Sequence, residues 1–504
     1  MRRRPALRTA GLTVGLTAGL LLVAALTGCQ EQERSVGGAS PFRAATEQGE
    51  VRGFAREDTV SWRGIPYAAA PVGELRWEPP QPAEPREGTL DASTYGHACP
   101  QPLGRSLSER LAGPIVDTSE DCLYLNVTRP RSGDALPVMV WLHGGGFTAG
   151  TGNLPIYNST QLARQGVVLV TLNYRLGRLG YFAHPALTAQ SGERVANYGL
   201  LDQIAALEWV RDNIAAFGGD PDAVTVFGES AGGMSVNALM SAPRADGLFR
   251  SAISESGLGR EPSVSFERSE RQGVEVADLL GVSDATAAEL RALPARKVAA
   301  LPLDLLEGQG PIVDDVLPKS VVDTFEAGDE APVPYVVGVN DLEVPDGFFA
   351  AGGRDPDAIR DRIIGPDRAA ALAAYGDEET LDAHLMSDVV FTEPARHLAL
   401  LHGQRAPTYL YRFQVISPEL RQAFGGAPHA FEIPFVFGTS ADYPARAEEI
   451  SAAWVAFAAT SEPGWPEVGR GTLVRFTNGG WRVSDDDPWK ARLDVVESGY
   501  ARGS

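Results

Sequence analysis

A serine flanked by glycines is the first feature of this sequence that can do chemistry. The run Gly228-Glu229-Ser230-Ala231-Gly232 has the form G-x-S-x-G, and it directly follows an apolar segment over residues 224–227. Small residues that can start a helix come next. Glycines two residues on either side allow a turn too sharp for Cβ atoms, and such a turn pushes a serine hydroxyl out of a sheet. The motif predicts that Ser230 is the nucleophile of an acyl transfer.

Attack on an acyl carbon places negative charge on the carbonyl oxygen, so the site also needs N–H donors at that point. Three consecutive glycines follow His143 and an apolar segment that ends at Leu142. Glycines let a backbone approach a substrate closely, so the predicted donors are the amides of Gly145 and Gly146, joined by the amide of Ala231. His143 itself is interpreted as a structural residue that orients this loop.

The predicted general base is one of the seven histidines of the sequence. His429 is favoured, because it lies in a turn-rich loop beyond an apolar segment at 408–413, and the histidine comes last in chain order in hydrolases built around this serine motif. His97 precedes the serine and is excluded by that order. Three others lie in segments with helical patterns and are interpreted as solvated surface residues: His384, His397 and His402.

A carboxylate must orient the histidine and stabilise its protonated form. We expect it after a strand between Ser230 and His429. The apolar segment at 335–339 is followed by three carboxylates, and the residues alone leave all three open: Asp341, Glu343 and Asp346.

The elements that must position these residues follow a regular pattern. Short apolar runs rich in β-branched residues alternate with helical stretches, which predicts a mostly parallel sheet covered by helices on both faces. The predicted buried strands lie at 138–142, 167–172, 224–227, 252–254 and 335–339, and a helix is predicted at 200–217. Helical composition at about 261–308 and 357–386 predicts inserted helices above the sheet, over the site.

Size and charge narrow the class of protein. The chain has 504 residues, of which 44% are hydrophobic, and no long linker or internal repeat divides it, so we expect one catalytic domain with insertions. A net charge of −21 argues against a nucleic-acid partner, because binding phosphates requires clustered Lys and Arg. Neither metal-ligand spacing nor a nucleotide-binding glycine pattern is found in the sequence, so no metal or other cofactor is predicted.

The N-terminal residues predict export. Met1-Arg2-Arg3-Arg4 is basic, residues 11–26 are apolar, and Leu26-Thr27-Gly28-Cys29 resembles the lipobox of bacterial lipoproteins. We therefore expect a signal peptide at 1–28, a lipid on Cys29 that is the only membrane attachment, a flexible tether at 29–46 and the catalytic domain at 47–504. An ordinary cleaved secretion signal or an uncleaved anchor remains open, and either would also export the protein.

Two cysteines remain once Cys29 is assigned to the lipid. Cys99 and Cys122 are then a candidate pair, because an oxidising compartment favours a disulfide over two free thiols.

The sequence from about residue 50 to 466 resembles the type B carboxylesterases, the family that includes cholinesterases and bacterial para-nitrobenzyl esterases. The resemblance rests on the glycine loop, the serine motif and six further ordered motifs. These are Trp62-Arg63-Gly64-Ile65-Pro66-Tyr67-Ala68, Pro71-Val72-Gly73-Glu74-Leu75-Arg76-Trp77, Glu120-Asp121-Cys122-Leu123-Tyr124-Leu125-Asn126-Val127, Asn173-Tyr174-Arg175, Ala427-Pro428-His429 with Glu432-Ile433-Pro434, and residues 454–465.

The resemblance implies an α/β-hydrolase fold and hydrolysis of small-molecule carboxylic esters through an acyl-enzyme, without a cofactor. In this family the triad acid is the glutamate of a Gly-x-Asn-x-x-Glu-Gly motif, which residues 338–343 match, so the resemblance implies Glu343. Val344 departs from the family glycine. The resemblance also implies a disulfide between Cys99 and Cys122.

Two further polar residues match family positions: Glu229, beside the nucleophile, and Ser256, after the next strand. A role in supporting His429 and simple burial with hydrogen-bond partners are both open. A binding or adhesion protein is the competing function, since some cholinesterase-like domains have lost the nucleophile, but the complete triad argues against it. Amidase, lactonase and lipase activities remain open, because specificity depends on the shape of the pocket.

Overall fold

Strands and helices alternate along most of the chain. The computed structural model describes residues 42–102, 115, 117–158, 160–260, 264–301, 310–344, 356–469 and 471–503. The described strands are β1 Arg43–Thr46, β2 Gly49–Arg52, β3 Phe54–Arg56, β4 Thr59–Pro66, β5 Thr89–Asp91, β6 Tyr124–Pro130, β7 Leu136–Leu142, β8 Val168–Leu172, β9 Gly219–Glu229, β10 Ser251–Glu255, β11 Val264–Ser265, β12 Ile312–Val313, β13 Tyr335–Asn340, β14 Thr408–Phe413, β15 Leu473–Thr477 and β16 Gly480–Ser484.

The helices vary from one turn to almost five. The described α-helices are α1 Thr160–Arg164, α2 Gly177–Gly180, α3 Pro185–Ser191, α4 Tyr198–Asn213, α5 Ala231–Ser241, α6 Phe266–Leu279, α7 Ala287–Arg291, α8 Ala295–Ala300, α9 Val321–Ala327, α10 Pro356–Ile364, α11 Arg368–Tyr375, α12 Glu378–Ser387, α13 Glu393–His402, α14 Pro418–Phe424, α15 Ile433–Val436, α16 Pro444–Thr460 and α17 Lys490–Gly503. A π-helical turn, Asp388–Thr392, joins α12 to α13. Short 3₁₀ turns lie at Gly73–Leu75, Ile214–Phe217, Pro243–Ala245 and Gly365–Asp367.

Eleven strands form the central sheet, in the order β16-β15-β14-β13-β10-β9-β7-β8-β6-β4-β3. The strands from β15 to β8 are mutually parallel, and antiparallel strands complete both edges. Parallel neighbours need crossover connections, which helices such as α1, between β7 and β8, and α5, between β9 and β10, provide. In such a sheet the loops after the parallel strands meet at one edge, where a site can be assembled.

Both faces of this sheet are buried. On β7, Val138, Val140 and Leu142 belong to one apolar cluster, whereas the alternate residues Met139 and Trp141 belong to another. Successive side chains of a strand point to opposite faces, so a strand covered on both sides must be apolar throughout. This arrangement confirms the predicted double covering.

The predicted central strands are confirmed, mostly with longer ends. β9 begins five residues earlier than predicted. Its first residues include two aspartates, at 220 and 222, so the apolar pattern used for the prediction does not extend over them. The predicted helix at 200–217 is α4 followed by the 3₁₀ turn, and it ends at Gly218, whose φ is 76°. The inserted segments at 261–308 and 357–386 do contain helices, but β11 pairs with β12 beside them and was not predicted. A strand of two residues is too short to produce a periodic pattern.

The N-terminal part of the described chain forms a small sheet of its own. β1 pairs with β2, and Ala44 is buried. β1 lies within the segment that the sequence assigned to the tether, whereas β2 lies in the predicted catalytic domain. The predicted signal peptide and Cys29 lie outside the described residues. Among the helices that are described, none combines the length and apolar character needed to cross a membrane.

A disulfide joins Cys99 and Cys122, which confirms the predicted pair. Both cysteines are buried in the same apolar cluster as the neighbouring β6 residue Leu125. The bridge closes a loop over a sequence separation of 23 residues. Such a loop limits the freedom of the unfolded chain, so the bridge stabilises the folded domain.

Candidate active site

Ser230 lies at the junction of β9 and α5, in a sharp turn over residues 228–232 that we call the serine turn. β9 ends at Glu229 and α5 begins at Ala231, which leaves Ser230 between them with φ 58° and ψ −122°. A positive φ is rare for a residue with a Cβ and marks a strained backbone. The Ser230 amide donates to the carbonyl oxygen of Glu255 at 2.9 Å, which ties the turn to the end of β10.

Close backbone packing explains both glycines of the serine turn. A Cβ on Gly232 would lie 2.0 Å from the carbonyl oxygen of Leu142, and a Cβ on Gly228 would lie 2.6 Å from the Gly232 carbonyl carbon. Real atoms do not approach this closely, so any larger residue would force β7 and the turn apart. The serine turn therefore depends on the absence of side chains at Gly228 and Gly232.

The three-glycine loop packs directly on the serine turn. A Cβ on Gly144 would lie 2.7 Å from Glu229 Oε2 and 3.1 Å from the serine Cβ. Gly145 and Gly146 have φ of 115° and 62°, which places both in the left-handed region that favours glycine. Within the described part of the chain, the amides of Gly145, Gly146 and Ala231 donate no hydrogen bond. These three N–H groups, in the serine turn and in the loop that packs on it, are therefore free to donate.

Glu343 is the carboxylate that contacts His429. Its Oε2 lies 2.6 Å from His429 Nδ1, and the glutamate is completely buried. Its other oxygen, Oε1, accepts hydrogen bonds from the Ser256 hydroxyl and the Asn340 amide, each at 2.6 Å. Three donors therefore hold this carboxylate in one orientation. Val344 is buried where the family pattern has glycine, and its amide donates to Ser387 Oγ at 2.9 Å.

Asp341 supports the histidine loop from a different position. Its Oδ1 accepts a hydrogen bond from the Ala427 amide at 2.6 Å, and its Oδ2 pairs with Arg421 at 2.9 Å. It contacts the loop two residues before His429 and holds the backbone there. Asp346, the third candidate, lies outside the described residues.

Glu229 contacts the opposite side of the imidazole. Its Oε1 lies 3.2 Å from His429 Nε2, with an alignment too poor for a hydrogen bond, so the contact is electrostatic. Both side chains are nine-tenths or more buried. His429 thus lies between two carboxylates, Glu343 at Nδ1 and Glu229 at Nε2.

Burial and charge shift the pKa values of this group. Burial raises the pKa of Glu229 to about 7, with the charge of His429 acting against it. Burial would lower the pKa of His429, but the charge of Glu229 and the hydrogen bond that His429 donates to Glu343 outweigh it and raise that pKa to about 9. Burial and the two other glutamates raise the pKa of Glu432 to about 8, and its Oε2 accepts a hydrogen bond from Asn340 Nδ2 at 2.5 Å. These groups share protons as a unit, so their titrations are coupled.

Two contacts at this site could not be found from sequence patterns. Phe391, in the π-helical turn, packs on the His429 ring with centroids 4.9 Å apart. Glu432 lies in one of the motifs of the family resemblance, which assigned it no role. A π-helical turn has no periodic signal of its own, although such turns are frequent at functional sites.

His143 is a structural residue, as interpreted from the sequence. Its ring stacks on Tyr174 at 4.4 Å, and its carbonyl oxygen accepts a hydrogen bond from the Tyr174 hydroxyl at 2.7 Å. Burial lowers its pKa to about 4, so the ring stays neutral near pH 7.

The expectation for the three helical histidines is wrong for His402. All three do lie on helices, and His384 and His397 are half-buried, but His402 is fully buried. Its Nδ1 contacts Glu330 and its Nε2 contacts the Val333 carbonyl oxygen, both at 2.8 Å. A helical pattern does not reveal which buried polar partners a neighbouring loop supplies.

Comparisons with known proteins identify the family of this chain. The sequence profile of the carboxylesterase family matches residues 40–361 and 375–483. The chain belongs to the carboxylesterase family. It is 38% identical over 472 residues to the para-nitrobenzyl esterase of Bacillus subtilis, covering 85% of this chain and 94% of that relative. It is also 36% identical to the fumonisin B1 esterase of Sphingopyxis macrogoltabida, covering 86% and 85% of the two chains.

A solved structure of a PNB esterase superposes on 90% of this chain and 99% of that one, with a TM-score of 0.77 and 35% identity. The predicted α/β-hydrolase fold is therefore confirmed, and this carboxylesterase is a carboxylic ester hydrolase that acts on small-molecule esters.

Proposed function

We propose that this carboxylesterase transfers the acyl group of its substrate first to Ser230 and then to water, with His429 as general base and Glu343 as the triad acid. Ser230 Oγ attacks the ester carbonyl while His429 Nε2 takes its proton, and the protonated histidine then returns a proton to the leaving alcohol. Water then attacks the acyl-enzyme with the same proton transfers through His429, which releases the acid and regenerates Ser230. The 2.6 Å contact between Glu343 and His429 Nδ1 is the observation that carries this proposal.

The oxyanion of each tetrahedral intermediate is assigned to the amides of Gly145, Gly146 and Ala231. The free N–H groups around the serine turn support this assignment, because donors that are already oriented do not need to reorganise during the reaction. Ala231 also opens α5, whose N-terminus favours negative charge.

Glu229 is assigned a role in stabilising the protonated histidine. When Nε2 carries the serine proton, the imidazolium lies between the carboxylates of Glu229 and Glu343. Both contacts are buried, where an ion pair is screened less than in water.

Replacement of the nucleophile tests the catalytic assignment. The Ser230→Ala variant should fold normally and lose essentially all hydrolysis of short-chain nitrophenyl esters, because no acyl-enzyme can form. A fluorophosphonate probe should label the parent protein and leave the variant unlabelled. Ser191→Ala, at an exposed serine, is the control that keeps the nucleophile, and it should still be labelled. Near-parental turnover in Ser230→Ala would disprove the assignment.

We also propose that the protein is an exported lipoprotein with Cys29 as its lipidated residue. The basic start, the apolar run and the Leu26-Thr27-Gly28-Cys29 motif support this reading. Cys29→Ser should release the protein from the membrane fraction or block its processing. If that variant is cleaved normally and stays with membranes, another anchor holds the protein.

A further inference from the structure

A second cluster of polar side chains joins α13 to α17. Glu393 and His397 lie one turn apart on α13, and Glu497 lies on α17. One potential ligand atom from each residue falls within 4.8 Å of the others. Residues four apart share one face of a helix, so Glu393 and His397 can bind the same ion.

Glu393 has an oxygen that needs a partner. The residue is completely buried, and its Oε1 pairs with Arg260 at 3.0 Å. Its Oε2 has no hydrogen-bond partner among the described residues. A buried carboxylate oxygen without a partner is costly, so this atom points to a missing ligand.

The charges around this cluster are unbalanced. Arg396 pairs with Asp494 at 2.8 Å and with Glu497 at 2.9 Å, and Glu326 lies 3.4 Å from His397. The group therefore contains four carboxylates and, because Lys490 also pairs with Asp494, three cationic side chains: Glu326, Glu393, Asp494, Glu497, Arg260, Arg396 and Lys490. One negative charge remains, which favours a bound cation over an anion at this cluster. An arginine that binds one oxygen of a carboxylate orients the carboxylate and leaves its other oxygen free to bind a metal.

We propose that Glu393, His397 and Glu497 bind one divalent transition-metal ion, with zinc as the preferred metal. A mixed set of one imidazole and two carboxylates suits zinc, whereas calcium and magnesium prefer oxygen ligands alone. Ligand atoms around tetrahedral zinc lie about 3.5 Å apart, so the side chains must close by about 1 Å. Glu497 is exposed and can rotate to do so. The ion would fasten α17 to α13, which continues from the turn that carries Phe391.

Calorimetry on the full, chelator-treated protein tests this site with zinc chloride as the probe. The parent should bind one equivalent of zinc and gain several degrees in Tm at saturation, because the ion binds only the folded chain. His397→Ala and Glu497→Gln should each lower the zinc affinity by about 100-fold or more. His97→Ala is the matched control, since His97 is an exposed histidine that also pairs with a carboxylate, Asp117, at 2.8 Å. Its zinc affinity should equal that of the parent.

Three results would overturn the proposal. The first is that the parent protein binds no zinc. The second is that His397→Ala and Glu497→Gln bind zinc as tightly as the parent. The third is that the parent binds calcium more tightly than zinc. Both variants leave the buried Glu393 in place, His397 is half-buried and Glu497 is exposed, so both should fold.

Discussion

The two sides of the active site are positioned by different kinds of force. Around Ser230, the backbone is packed so closely that only glycine fits at Gly228 and Gly232. Around His429, hydrogen bonds and charges hold the ring, with Glu343 on one nitrogen and Glu229 facing the other. The serine side therefore depends on shape over a few adjacent residues. The histidine side depends on groups that are far apart in the sequence and meet only in the folded chain.

The largest expected effect separates the two candidate acids on the histidine side. Glu343→Gln keeps the bulk but removes the charge that stabilises the imidazolium, so kcat should fall by about 10²–10⁴-fold. Asp341→Asn keeps an oxygen for the Ala427 amide and loses only the Arg421 pair, so its kcat should fall by about tenfold or less. Steady-state kinetics with a nitrophenyl ester give both values. If Asp341→Asn has the strongly reduced kcat and Glu343→Gln has a normal one, then Asp341 and not Glu343 is the triad acid.

A substitution on the serine side should act through stability. Gly232→Ala places a Cβ 2.0 Å from a backbone oxygen, and relief of that clash should cost about 3 kcal/mol of the free energy of unfolding. Gly479→Ala is the control, because a Cβ there meets only side-chain atoms at 3.9 Å. Urea unfolding measures both variants. Equal stability of the two would show that packing does not hold the serine turn.

The smallest expected effect comes from the contact between Glu229 and His429, which joins the serine side of the site to the histidine side. The charge of Glu229 raises the pKa of His429, so Glu229→Gln should lower that pKa. His429 must be neutral to accept a proton, and the acid limb of the pH profile of kcat/KM should therefore move to lower pH, by about one unit. Glu84→Gln, at an exposed glutamate, is the control and should leave the profile unchanged. A shift to higher pH would mean that Glu229 does not act through the charge of the histidine.

The sequence predicted the central strands and the serine turn well for a local reason. Apolar residues in an uninterrupted run identify a strand buried on both faces, and the glycine spacing around Ser230 follows from backbone geometry within five residues. β11, the burial of His402 and the contact of Phe391 with His429 were not predictable in this way. Each depends on which residue of a distant segment lies opposite it. The local sequence alone does not contain that information.

By itself, then, the sequence predicted Ser230 as the nucleophile, the glycine loop as the source of N–H donors and His429 as the base, because each lies in a motif whose neighbours impose its conformation. It left three carboxylates open as the triad acid, and only resemblance favoured Glu343. The tertiary structure decided how Asp341 and Glu343 differ: both follow β13, but one turns toward the backbone at Ala427 and the other toward His429 Nδ1. It also placed Glu229 against Nε2, since β9 and the histidine loop meet only when the sheet is complete. Contacts between segments some 200 residues apart arise from folding, because burial forces polar groups to find partners wherever the chain brings them.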